Sequence, residues 1–202
     1  TIPEIVKTGK ACFENGATAM HFHIRNEKGI HVLDSGLCKE ALNELQKTVP
    51  KMHFQITTEA VGKYSPSDMR KLAYEVSPPG ISISIREMIP SRKPNSEDIK
   101  IYQKLSEANT KVQHICYEPE DLDLLSELLK KAEISKAGIW CMFTIGHYSG
   151  KVSDPKKYAS FIQLCVKNDI EIVREKADYL ICLWDHNVIK GAGTHAEVTF
   201  AY

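Results

Sequence analysis

The chain has 202 residues, 43% of them hydrophobic and 26% charged, with a formal net charge of +0. That is enough chain to bury a sizeable core as a single domain over residues 1–202, and the balanced charge gives no footing for nucleic acid or an anionic membrane. No apolar stretch reaches the ~20 residues that a bilayer-spanning helix needs. The six cysteines are scattered without a CxxC pair, which points to reduced core thiols in a reducing compartment, with the cytoplasm as the expected location.

In chain order, 3–15 reads as a helix whose Ile5, Val6, Cys12 and Phe13 can share a face, stopped by Asn15-Gly16. A strand follows at 18–24 (TAMHFHI), then a helix at 36–48 with Leu37, Ala41, Leu42 and Leu45 at helical spacing. Strand 53–57 (HFQIT) precedes helix 66–76, which opens Ser65-Pro66-Ser67, with proline where its missing N–H costs little. Strand 81–85 (ISISI), helix 96–108, strand 112–116 (VQHIC) and helix 119–131 come next. Both of these helices carry acids in the first turn (Glu97 and Asp98, Glu120 and Asp121), where the helix dipole favours them. Strands are then expected at 138–144, 161–166 and 178–183, separated by weak helical segments at 155–160 and 169–176.

The strands are apolar on most positions, as in a parallel sheet covered on both faces. Alternation with helices suits either an open doubly wound sheet or a barrel lacking one strand. A nucleotide-binding open sheet would carry a glycine-rich turn after an early strand, and none is present. The expected fold is therefore α/β, a (β/α)8 TIM barrel lacking strand 1 and shortened in its late elements. In that reading the chain begins in the loop or helix after strand 1, and its exposed edges call for a partner subunit, a homo-oligomer, or for further residues that supply the missing strand.

His21 and His23 are two apart on a strand, so both side chains project from one face, at the C-terminal end where barrels build their active sites. Two neutral imidazoles so placed can each give a nitrogen to one divalent metal, and they suit zinc. The last strand ends Trp184-Asp185-His186-Asn187, and in a closed barrel Asp185 would lie near enough to complete a site of two histidines and one carboxylate. Other strand ends are polar as well: Thr57-Thr58-Glu59, Ser84 with Arg86-Glu87, His114, and Gly146-His147. His31 and His195 fall in loop or tail segments and His53 begins its strand at the opposite end, so no role is assigned to them.

These segments resemble the β-keto acid cleavage enzymes, a family of zinc-dependent barrel proteins. GATAMHFHIRNEKG, HFQITTEAVGKYSP, ISISIREMIP, VQHICYEPEDL, FTIGHYSGKVSDP and LWDHNVI follow one another in family order, covering essentially residues 3–198. The resemblance implies a retro-Claisen reaction in which a β-keto acid and acetyl-CoA give acetoacetate and a new acyl-CoA. It implies a zinc ion on His21 and His23, with Asp185 in place of the family's glutamate as third ligand, and His186 as a general base. It also implies a pocket lined by Arg25, Thr57, Thr58, Glu59 and Ser84. An arginine expected to hold the anionic substrate would fall on Ile181 and is absent in this register.

The partners implied are small molecules, a β-keto acid and a CoA thioester. Two other readings stand beside this one. A metal-dependent aldolase or amidohydrolase-like hydrolase would also use a His-x-His pair, and a degenerate, non-catalytic barrel would explain the missing arginine and the short late elements.

Overall fold

The chain is described from a computed structural model that defines residues 1–144 and 157–168. Several of its helices start where the sequence supplies caps. α1 spans Ile2–Glu14 and stops at Asn15, with Gly16 at φ +96 turning the chain into β1 (Ala19–Phe22). α2 (Ser35–Thr48) is capped by the Asp34 carboxylate, which accepts from the Leu37 N–H at 2.8 Å. After β2 (His53–Thr57), α3 (Pro66–Val76) opens with a reciprocal Ser65–Asp68 capping box. β3 (Gly80–Ser84) runs directly into a short turn, α4 (Ile85–Met88), and α5 (Ser96–Glu107) repeats the capping box with Asn95 and Asp98. β4 (Lys111–Cys116), α6 (Asp121–Ala132), β5 (Trp140–Phe143) and α7 (Lys157–Lys167) complete the described elements.

The five strands form one parallel sheet in the order β1-β2-β3-β4-β5. Each new strand is added on the same side of the last. A doubly wound sheet reverses its order at a switch point; among the described residues this one does not. The result is an α/β layer consistent with an arc of a TIM-like barrel, and the sheet is not closed among the described residues.

Register separates the two faces cleanly. Phe22, Ile56, Ile81 and Ile83 lie on the helix side, packed with Leu45, Leu72, Leu105 and Leu128 in one continuous core. On the other side sit His21, Gln55, Thr57, Ser82, Ser84 and Gln113, in step across the strands. β3 begins on a glycine because a Cβ at Gly80 would lie 2.9 Å from the Phe54 carbonyl oxygen, closer than side-chain atoms approach backbone.

The strand expected at 161–166 is instead part of α7. Phe161, Leu164 and Cys165 recur at helical spacing; Phe161 and Cys165 are buried against Cys116 and Leu122, while Val166 is exposed. A run of six mostly apolar residues did not distinguish a buried strand from an amphipathic helix, and the exposed valine decides for the helix. The strand expected at 178–183 and the helix at 169–176 lie outside the described residues.

Among the described residues all cysteines are free, and Cys38, Cys116 and Cys165 are buried. Burial, with Asp34 nearby, pushes the Cys38 thiol up to about 12, and burial pushes that of Cys165 up to about 11. No described helix is long and apolar enough to cross a membrane.

Candidate metal centre

The polar face converges at the C-terminal end of β1. His21 stands opposite Gln55 in the parallel register, and its Nδ1 contacts Gln55 Oε1 at 2.6 Å. Its Nε2 lies 3.0 Å from Nε2 of His23. On its other side, His23 Nδ1 is 3.4 Å from a carboxylate oxygen of Glu59, which follows the end of β2.

A third histidine joins them through a turn. The Asn26 side-chain oxygen accepts from the N–H groups of Lys28 and Ile30, each at 3.0 Å, and Gly29 adopts φ +73. The chain therefore doubles back, and His31 pairs antiparallel with Arg25. His31 Nε2 donates to the Glu59 carbonyl at 3.1 Å, which leaves Nδ1 with the lone pair, buried and without a hydrogen-bond partner. The rings of His23 and His31 are 5.1 Å apart, and Tyr64 reaches the His31 carbonyl with its hydroxyl at 3.4 Å. His23, His31 and Glu59 each offer a ligand atom, all within 4.8 Å of one another.

Electrostatics favour neutral rings at His23. Burial, and then the neighbouring His21, depress its pKa to about 4, with Glu59 opposing and His31 and Arg25 adding to the depression. A neutral imidazole is the form that binds a metal.

The floor beside this cluster is polar and fixed. Thr57 Oγ1 accepts from the Glu59 N–H at 2.9 Å and lies 3.5 Å from the Ser82 hydroxyl, which donates to it. Thr58 continues the ladder, donating from both N–H and Oγ1 to the Ser82 carbonyl, at 3.2 and 3.0 Å. The Ser84 hydroxyl, the Gln55 amide nitrogen and the Gln113 amide oxygen are buried with no hydrogen-bond partner among the described residues. Unsatisfied polar groups are costly in a core, so several together on one face are groups available to a ligand or to water.

Further round the rim, Asp121 is fully buried at the start of α6. It accepts from Arg86 Nε and Nη2 at 3.1 and 3.2 Å, from Arg92, and from the N–H groups of Tyr117 and Glu118 at 2.8 and 3.0 Å. The first-turn acid expected from the sequence to answer the helix dipole thus also clamps the segment after β3.

Of the residues singled out from sequence, His21, His23 and Glu59 are brought together, and Thr57 and Ser84 share their face. Arg25 is exposed and donates to the carbonyl of Gly29 in its own turn at 3.0 Å. His53 is exposed at the start of β2, at the far end of the sheet. Asp185, His186 and His195 lie outside the described residues.

His114, a polar strand end by sequence, faces away from this cluster. It pairs with Ile83 in the register, stacks on Tyr102 with centroids 5.7 Å apart, and donates from Nδ1 to the Trp140 carbonyl at 3.0 Å. Two contributors had no role from sequence. From sequence His31 reads as a loop residue, although the Asn26–Gly29 turn is the signal that folds it back; Gln55 lies in an apolar strand, where its register with His21 supplies the meaning.

A family model described as beta-keto acid cleavage enzyme matches residues 1–196, nearly the whole chain, and the chain belongs to the beta-keto acid cleavage enzyme family.

Proposed function

We propose that this chain cleaves β-keto acids by acyl exchange with acetyl-CoA, using zinc held by Nε2 of His21 and His23 and by the carboxylate of Asp185. The net reaction takes R–CO–CH2–COO⁻ and acetyl-CoA to acetoacetate and R–CO–S-CoA. In this reading the five-stranded sheet is part of a (β/α)8 barrel that assembles as a homo-oligomer, in a reducing cytoplasm.

The observation that carries the reading is the pair of Nε2 atoms 3.0 Å apart on rings whose Nδ1 atoms face side-chain oxygens. Zinc–nitrogen bonds of about 2.0–2.1 Å in tetrahedral geometry set their nitrogens roughly 3.3 Å apart, so the donor set fits the ion with little movement. The depressed pKa of His23 supports a ligand that is neutral before metal arrives. The metal would act as a Lewis acid on a substrate oxygen, stabilising charge that develops as the carbon–carbon bond breaks.

The chain's own groups do the rest. The Ser84 hydroxyl, buried and unpartnered among the described residues, is free to donate to a substrate oxygen. Thr57 and Glu59 shape the wall beside the histidines, and Arg25 stands at the entrance on the turn that carries His31. His186 serves as the general base that takes a proton from the carbon between the two carbonyl groups.

Metal content measured on the purified native chain is expected to approach about one zinc per chain, and to be abolished by His21→Ala. CoA-ester formation from a panel of β-keto acids with acetyl-CoA should require that metal. A metal-free native protein, or turnover indifferent to His21→Ala, overturns the reading.

A further inference from the structure

The outer nitrogens of the two histidines face different side-chain oxygens, one at hydrogen-bond distance and one at the longer range of an ion pair. Gln55 Oε1 faces His21 Nδ1 at 2.6 Å, and Glu59 Oε2 faces His23 Nδ1 at 3.4 Å. A neutral imidazole whose Nδ1 carries the proton has its lone pair on Nε2. Both lone pairs are then directed into the same 3.0 Å gap, an arrangement that a cation relieves and that two facing lone pairs alone would resist.

The acceptors are themselves anchored. Gln55 is buried within β2, directly across from His21. The main chain of Glu59 is fixed on both sides, by its N–H to Thr57 Oγ1 at 2.9 Å and by its carbonyl, which accepts from His31 Nε2 at 3.1 Å. His31 thus braces the backbone that carries the carboxylate.

Resting on the metal reading above, we propose that Gln55 and Glu59 are positioning residues: they fix the tautomer and ring orientation of His21 and His23, with His31 as the brace of Glu59. The competing arrangement makes His23, His31 and Glu59 themselves the ligand set, since their donor atoms lie within 4.8 Å of one another. The two differ in which substitutions change the metal's own ligands. Groups that orient a metal-bound histidine contribute about 10–100-fold in affinity.

The test titrates metal-free full-length protein with Zn²⁺ against a chromophoric chelator, and records the visible spectrum of the Co²⁺ form. Gln55→Leu is expected to weaken zinc binding by about 10–100-fold, with Gln55→Glu, which keeps an acceptor, restoring it to within a few-fold. The longer contact predicts a smaller loss for Glu59→Leu, about tenfold, and a near-native value for Glu59→Gln. The Co²⁺ band positions should be the same in all of these and in His31→Asn, because no ligand has changed.

Loss of binding or a shifted Co²⁺ spectrum in Glu59→Gln or His31→Asn overturns the proposal in favour of the His23–His31–Glu59 set. Native zinc affinity in both Gln55→Leu and Glu59→Leu overturns it while leaving the metal reading intact. A wild-type chain that binds no zinc, or His21→Ala binding as tightly as wild type, removes the metal reading itself.

Discussion

On the helix side of the sheet, His114 is stacked on Tyr102, 2% exposed, with one ring nitrogen satisfied by a backbone carbonyl. On the opposite side, His21 in β1 and His23 just beyond it are half-buried, with their rings facing side chains of the next strand and its following loop. The His114 and His23 rings both have pKa values depressed to about 4, and for both burial is the largest cause. What separates them is the company. His114 is enclosed on the helix side against Tyr102, whereas the nitrogens of His21 and His23 face one another and two side-chain oxygens. A depressed histidine pKa therefore does not mark the site; the direction in which the ring nitrogens point does.

Substitutions on the two faces should separate them. The largest effect belongs to the helix side. Ile83 is fully buried there, and Ile83→Ala should cost about 4 kcal/mol in chemical denaturation through lost transfer energy and the cavity left behind. A loss below about 1 kcal/mol would mean that this face is not the core.

Next in size is a pH effect from His114. The fold holds its pKa at about 4, below the ordinary value of 6.5, so folding favours the neutral ring. Its stability contribution is present in full above pH ~6.5 and is lost as pH falls through about 4, amounting to about 3 kcal/mol. Unfolding free energy followed from pH 7 to 4 should slope less steeply in His114→Gln than in wild type; identical slopes would remove this assignment.

The smallest stability change is expected on the polar side. Ser84→Ala removes a hydroxyl with no described hydrogen-bond partner, so stability should move by no more than about 0.5 kcal/mol. Its kcat/KM with a β-keto acid should nevertheless fall roughly tenfold, the worth of one hydrogen bond to substrate. Unchanged turnover would make the hydroxyl part of the scaffold.

Much of this division is readable from the chain. Caps such as Asp34, Ser65 with Asp68, and Asn95 with Asp98 mark helix starts, and β-branched runs mark β2, β3 and β4. His21 and His23 could be placed on one face because a strand alternates with period two. His114 could not be assigned to a face, because that depends on which residue of β3 lies beside it, and register is a property of the pair of strands. Gln55 was obscured for the same reason. His31 required a turn and an antiparallel bridge to be foreseen together, and the 161–166 segment failed because its composition suits both a strand and a helix.

The Asp121 clamp has a consequence for anything that enters over that side of the rim. With Arg86, Arg92 and the N–H groups of Tyr117 and Glu118 all gathered on one buried carboxylate, the segment after β3 is tied to the start of α6. The disorder of that segment is therefore given up when the chain folds. An incoming molecule meets a wall whose shape is already set, and its affinity is not diminished by having to organise it.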